Sequence, residues 1–130
     1  MLKRINLILA LLPVVLFACS SDAPKMIAQQ TLGDKVVMIL SDNGTLTKGT
    51  GSFYIELHKV SDNSFSEAGK VEADAKMQMA GNLMTGEITV VKTEIPGRYA
   101  VKYNFPMSGK WILVVYVDFF GKAQFELNVI

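Results

Sequence analysis

The most regular feature of the chain is an alternation of apolar and polar residues on both sides of a short turn. The apolar positions are Tyr99, Val101, Tyr103 and Phe105 before the turn, and Trp111, Leu113, Val115 and Val117 after it. Pro106, Ser108 and Gly109 provide the turn chemistry between the two segments. A period of two predicts an antiparallel hairpin whose apolar face, rich in aromatic side chains, forms the centre of a core.

Similar strand-length segments recur along the chain, separated by turns that contain Gly, Asn and Asp. They occupy residues 36–40, 52–59, 71–79, 87–94 and 123–129. Together with the hairpin they predict an all-β domain, a β-sandwich of about seven antiparallel strands. Residues 71–79 have a competing interpretation, because Ala, Glu, Lys and Met also favour helices. We predict a strand there, since the alternation persists along the whole segment.

A different pattern opens the chain. Lys3 and Arg4 precede an apolar run over residues 5–17, which only Asn6 and Pro13 interrupt. Such a run is too short to span a bilayer comfortably and is typical of the apolar region of a signal peptide. We therefore predict that residues 1–18 are a signal peptide.

The end of this run points to lipid attachment. The sequence Leu16-Phe17-Ala18-Cys19 resembles a bacterial lipobox, in which the cysteine is lipidated and becomes the new N-terminus. We predict a lipoprotein signal peptide at 1–18, a lipidated flexible tether at 19–34 and the folded domain at 35–130. An ordinary cleavage site with a chance cysteine and an uncleaved anchor are the alternatives. A lipoprotein signal implies a protein anchored in the bacterial cell envelope. Because Ser20 rather than an aspartate follows the cysteine, we expect it on the outer membrane, facing the periplasm, if the organism is Gram-negative.

Charge and cysteine content exclude several classes of function. Removing residues 1–18 takes Lys3 and Arg4 from thirteen basic residues, and the eleven that remain face twelve acidic ones, a formal charge of −1. These charges are dispersed, so nucleic acid is not an expected partner. Cys19 is the single cysteine, so a lipidated protein has no disulfide, and its stability must come from the core.

The order of these features resembles a known family. Gly51 precedes a Phe53-x-Ile55-x-Leu57 strand, a strand with closely spaced methionines follows, and then come Pro-Gly-Arg-Tyr at 96–99 and the turn from Phe105 to Trp111. This order is similar to YtkA-like and FixH-like domains of bacterial envelope proteins over roughly residues 34–130. The resemblance implies a small immunoglobulin-like β-sandwich that handles an envelope metal, chiefly copper, or assists the assembly of a metalloenzyme.

Four methionines are the candidate metal ligands: Met77, Met79, Met84 and Met107. Soft thioether sulfur selects Cu(I) over hard cations. Met77 and Met79 are two residues apart on a predicted strand, so both project from one face, and the turns that hold the other two are able to close on the same end of a sandwich. His58, the one histidine, is an optional further ligand.

A simpler interpretation exists for each candidate. Met77 and Met79 continue the apolar face that starts at Val71, where methionine is a good core filler. His58 falls on the polar face of its strand, where a lone histidine is usually solvated. Packing in the core explains Met84 and Met107 less readily, because both lie in predicted turns.

The sequence does not predict an enzyme. A serine triad would depend on His58 alone, and the chain has neither an elbow-like serine motif nor zinc-ligand spacing. We expect a lipid-anchored protein that contacts the membrane through Cys19 and binds Cu(I) as a chaperone or metalloenzyme assembly factor. The alternative is a metal-free interaction module, an accessory subunit that docks on an envelope protein through a sheet face or edge.

Overall fold

A computed structural model describes residues 23–130. They form eight strands: β1 (Lys25–Leu32), β2 (Lys35–Ser41), β3 (Gly49–Lys59), β4 (Val71–Met79), β5 (Asn82–Lys92), β6 (Arg98–Phe105), β7 (Gly109–Val117) and β8 (Gly121–Val129). No helix that could cross a membrane occurs within this part of the chain. The predicted signal peptide and the predicted lipid site at Cys19 lie outside the described residues.

All neighbouring strands pair antiparallel, in the order β1-β2-β3-β6-β5-β4-β7-β8. β5 belongs to both layers of the resulting sandwich. Its residues Asn82 to Gly86 pair with β4, whereas Glu87 to Lys92 pair with β6. A β-carbon on Gly86 would lie 3.0 Å from Phe105 Cδ1, so glycine allows β5 to approach β6 closely where the strand changes partner.

The core lies between the two layers and is filled by alternate residues of each strand, those that face inward. Its largest fully buried side chains are Phe53, Tyr99, Phe105 and Trp111. Aromatic rings form a continuous row through it, with centroid separations of 5.8 Å for Phe53–Tyr103, 4.5 Å for Tyr103–Phe105 and 4.9 Å for Phe105–Trp111. The predicted hairpin is therefore confirmed, as is the strand interpretation of Val71–Met79.

The predicted tether is wrong for part of its length, because Lys25–Leu32 forms β1. This strand pairs along the edge strand β2, and Ile27, Ala28 and Leu32 pack against the core. Polar and apolar residues are equally frequent in β1 and do not alternate, because the strand lies at a sheet edge. Backbone pairing with β2 stabilises it without a regular apolar face. The fold has eight strands rather than about seven, and all eight lie within residues 25–129.

One side of the sandwich is closed by contacts between its outermost strands. The Gln124 N–H of β8 donates to Gln30 Oε1 of β1 at 2.8 Å. Beyond the end of β8, Ile130 N–H donates to Leu46 O at 2.9 Å, and Ile130 O accepts from Lys48 N–H at 2.8 Å. The opposite side, where β4 and β5 diverge, has no comparable closure among the described residues.

Strand register defines two ends of the sandwich. Gly49 pairs with Phe105 at one end of the β3–β6 ladder, and Glu56 pairs with Arg98 near the other. The first end, formed by the turns at residues 80–81 and 106–108, is called the methionine end below. The second, formed by the loops at residues 60–66 and 93–97, is called the histidine end.

Candidate functional site

Two of the candidate methionines face each other across the β4–β5 hairpin. Met77 of β4 is the register partner of Met84 of β5, and Met79 is paired with Asn82 at the hairpin end. Directly opposed residues of an antiparallel pair project to the same face with β-carbons about 4.5–5.5 Å apart. The register therefore brings Met77 and Met84 together, with Met79 next along the same face of β4.

The β6–β7 turn carries Met107 to the same end. A β-carbon on Gly109, whose φ is 135°, would fall 2.5 Å from Met77 Cε and 3.8 Å from Met77 Sδ. The thioether of Met77 thus lies directly against this turn, beside a residue whose positive φ favours glycine. Trp111 Nε1–H donates to Met107 O at 3.0 Å and fixes the turn. The four predicted ligands all lie at the methionine end.

The burial of these side chains places them at the boundary between core and solvent. Met77 is 7% exposed, and Met79, Met84 and Met107 are half-buried and packed against the core. The core interpretation thus describes Met77 well and the other three only in part. Within residues 23–130 no group of three or more His, Cys, Asp and Glu side chains is placed to hold a metal ion. The methionines are the soft-donor cluster that the described chain offers.

His58 lies at the histidine end, away from the methionines. Its side chain is buried rather than solvated, at 9% exposure for the residue, because the loop after β3 folds over it. Its Nδ1 is 2.9 Å from Asn63 O, its Nε2 is 2.9 Å from Glu56 Oε1, and its ring stacks on Phe65 at 4.6 Å. Both ring nitrogens are engaged, so His58 is not part of the methionine cluster.

Glu56 is the centre of a buried charge cluster that sequence reasoning missed. Its Oε2 accepts from Arg98 Nη2 at 2.7 Å and from Arg98 Nε at 2.8 Å, while its Oε1 contacts His58. Arg98 also covers the ring of Tyr54, at 5.0 Å from the centroid. Both oxygens of the buried carboxylate therefore have hydrogen-bonding partners, as a buried charged group requires. This cluster joins β3 to β6.

The loop that supplies Asn63 O is held by a local carboxylate turn. Asp62 Oδ1 accepts from the Ser64 hydroxyl at 2.7 Å and from Ser64 N–H at 3.0 Å. These two hydrogen bonds hold the pKa of Asp62 below its ordinary value, because they favour the ionised carboxylate. Asn63 itself has φ of 61°, a conformation that asparagine tolerates better than most residues. The loop is therefore preorganised to meet His58.

These elements define an all-β, immunoglobulin-like sandwich with a methionine cluster at one end. The chain belongs to the YtkA-like family, whose model matches residues 32–116. The crystal structure of the Lin-41 filamin domain is similar in fold, with a TM-score of 0.54 and 15% sequence identity, covering 79% of this chain and 98% of that one. At this identity the likeness concerns the fold alone. No curated protein matches the sequence significantly.

Proposed function

We propose that this YtkA-like protein binds a soft metal ion, Cu(I), through the methionines at the methionine end. The observation that supports this most directly is the register pairing of Met77 with Met84, together with the contact of Met77 with the turn that carries Met107. Thioether sulfur is a donor suited to Cu(I) and poorly suited to hard cations. Copper binding is also what the resemblance to YtkA-like and FixH-like domains implies.

Thioether ligands suit a protein that passes its metal on. A thioether is neutral, so it binds a metal without first losing a proton, unlike a thiol. Three of the four methionines are half-buried rather than enclosed in the core, as the transfer of a metal to a partner's ligands would require. Met77, the buried member, lies on the inner side of the cluster. The arrangement supports a chaperone or metalloenzyme assembly factor rather than permanent metal storage.

The proposed lipid anchor would hold this end towards the membrane. β1 runs towards the histidine end, so the chain begins the fold from the side of the methionine end. From Cys19 to Lys25 there are six residue steps, which span at most about 20 Å when fully extended. If Cys19 is lipidated, as the lipobox-like Leu16–Cys19 sequence supports, the methionine cluster lies close to the bilayer of the bacterial envelope. A membrane-bound metalloprotein is then a suitable recipient.

A titration of residues 23–130 with Cu(I) against a competing chelator tests the proposal. This segment contains all eight strands that the structure describes and lacks the Cys19 thiol, which would bind copper by itself. We expect tight one-to-one binding. The Met84→Leu/Met107→Leu variant keeps the apolar volume but removes two sulfur atoms, and should bind about 100-fold more weakly or worse.

Two matched controls separate ligand loss from general damage. Met26→Leu/Met38→Leu removes two sulfur atoms outside the cluster, and His58→Gln changes the histidine end; both should leave the Cu(I) affinity unchanged in protein that circular dichroism shows to be folded. An absence of binding by the parent protein, or an equal loss in the Met26/Met38 variant, would contradict the proposal.

The alternative, a metal-free interaction module, is supported by a different part of the molecule. The β4–β5 side of the sandwich presents an open groove, and such sites bind extended segments of other proteins. The groove is distinct from the methionine cluster, so the protein has room for both activities.

A further inference from the structure

The sandwich opens into a groove where β4 and β5 part. β5 leaves β4 after Gly86, so Val71–Asp74 on β4 and Ile88–Lys92 on β5 face each other without pairing. The β4–β5 groove between these two walls has a volume of about 850 Å³. Its floor is lined by inward side chains, of which Ala73, Ile88 and Val90 are half-buried, whereas Val71 and Tyr99 are buried beneath them.

The β5 wall presents unpaired backbone groups to the groove. Thr93 N–H donates to Arg98 O at 3.2 Å, which shows that odd-numbered residues of this half of β5 point their backbone groups towards β6. Backbone N–H and C=O groups alternate in direction along a strand. Those of Ile88, Val90 and Lys92 therefore point away from β6 and into the groove, where no described residue pairs with them.

The β4 wall has the same property. Lys70 O accepts from Asp118 N–H at 3.0 Å, so the even-numbered residues here are directed towards β7. The backbone groups of Val71 and Ala73 consequently face the groove. Two unpaired strand edges thus line one apolar floor, and this combination is the requirement for adding a further strand.

The charges on the outer rim indicate what such a strand would carry. Asp74 makes no ion pair within residues 23–130, and Glu72 has only an exposed contact with Lys70 at 3.5 Å. Lys92, on the opposite wall, already contacts Glu67 at 3.5 Å. Exposed ion pairs at this distance contribute little stability, so either partner can pair with another charge instead. Asp74 is therefore the charged side chain of the rim without an ion pair among the described residues, and Glu72 beside it on β4 is only weakly paired, so this wall can accept a cation.

We propose that the β4–β5 groove binds an extended segment of a partner protein, which adds as a strand to the open edges. Apolar side chains of the segment, at alternate positions, lie on the floor. A Lys or Arg on its outer face lies beside Glu72 and Asp74, where it meets complementary charge. The exposed ring of Tyr116, at the same rim, offers an additional contact. This proposal does not depend on metal binding.

A probe peptide tests the groove directly. The peptide is acetyl-Ser-Val-Lys-Val-Thr-Val-Lys-Val-Ser-amide, and its control has Glu in place of both Lys. Residues 23–130, which contain all eight described strands, are titrated without metal and followed by amide NMR. We expect the lysine peptide to shift the amides of Ile88, Val90, Lys92, Val71 and Ala73 and to slow their hydrogen exchange. The glutamate peptide should bind at least about tenfold more weakly because of like-charge repulsion.

Variants of the rim residues test whether their charges determine which peptide binds. Glu72→Lys/Asp74→Lys should reverse the preference in favour of the glutamate peptide, while Glu126→Lys, on the exposed face of β8, should leave it unchanged. Val90→Pro removes an N–H that faces the groove rather than β6, and should weaken both peptides. Equal binding of the two peptides, shifts at another edge, or no shifts at all would overturn the proposal. Shifts that follow protein concentration without peptide would also overturn it and assign the groove to self-association.

Discussion

Replacing Trp111 by alanine is expected to lower the free energy of unfolding by about 3–5 kcal/mol, the range for truncating a large aromatic residue in a core. Trp111 is 0% exposed and its ring lies 4.9 Å from that of Phe105. The substitution also removes the indole N–H that bonds to Met107 O, which leaves that turn less firmly held. Urea denaturation should show a lower midpoint with an unchanged slope.

Tyr116 provides the matched control on the same strand. It lies on the opposite face of β7 and is 41% exposed. Tyr116→Ala should therefore cost no more than about 1 kcal/mol, as expected for a surface site. If the two alanine variants lose similar stability, the inner face of β7 is not the centre of the core and the layer assignment is wrong.

Replacing Glu56 by glutamine is expected to cost about 3 kcal/mol, because a buried ion pair is broken while its partner remains. Arg98 and His58 both use the Glu56 carboxylate, which is almost fully buried. Glutamine has nearly the same volume, so the loss reports charge and hydrogen bonding rather than packing. Thermal unfolding at neutral pH, with urea denaturation beside it, measures the effect.

Glu126, an exposed carboxylate, is the control for the buried carboxylate of Glu56. Its carboxylate contacts Lys110 at 3.6 Å on an exposed face. Glu126→Gln should change stability by less than about 0.5 kcal/mol, because exposed ion pairs are weak. A Glu56→Gln variant as stable as Glu126→Gln would show that solvent, not the cluster, satisfies Arg98 and His58.

The parts of the fold that the sequence predicts are those with a regular alternation over a whole strand. β4, β6, β7 and β8 each bury one face, so a period of two identifies both the strand and its inward residues. β1 has no such period because it lies at an edge and has many polar side chains. The change of partner along β5 is also invisible locally, since it depends on which strands meet at Gly86.

The candidate site was predictable in composition but not in geometry. A spacing of two residues along a strand places Met77 and Met79 on one face. Only the structure shows that Met84 lies opposite Met77 and that the turn with Met107 lies beside Met77. The burial of His58 follows from contacts with Glu56 and with a loop that reaches back over β3. The alternation along β3 assigns His58 and Glu56 to a polar face, but it cannot reveal that the loop after β3 covers this face. The groove has no local signal, because it exists only where two strands diverge.

The most direct test of the metal proposal is NMR of methionine methyl groups during a Cu(I) titration under reducing conditions. Of the seven methionines, only Met1 lies outside the described residues, so Met26 and Met38 serve as internal controls. We expect the methyl signals of Met77, Met79, Met84 and Met107 to shift together and to stop shifting when the Cu(I) concentration equals that of the protein, while the signals of the two controls do not shift. Cluster signals that do not move, or that move no more than those of Met26 and Met38, would contradict the proposal.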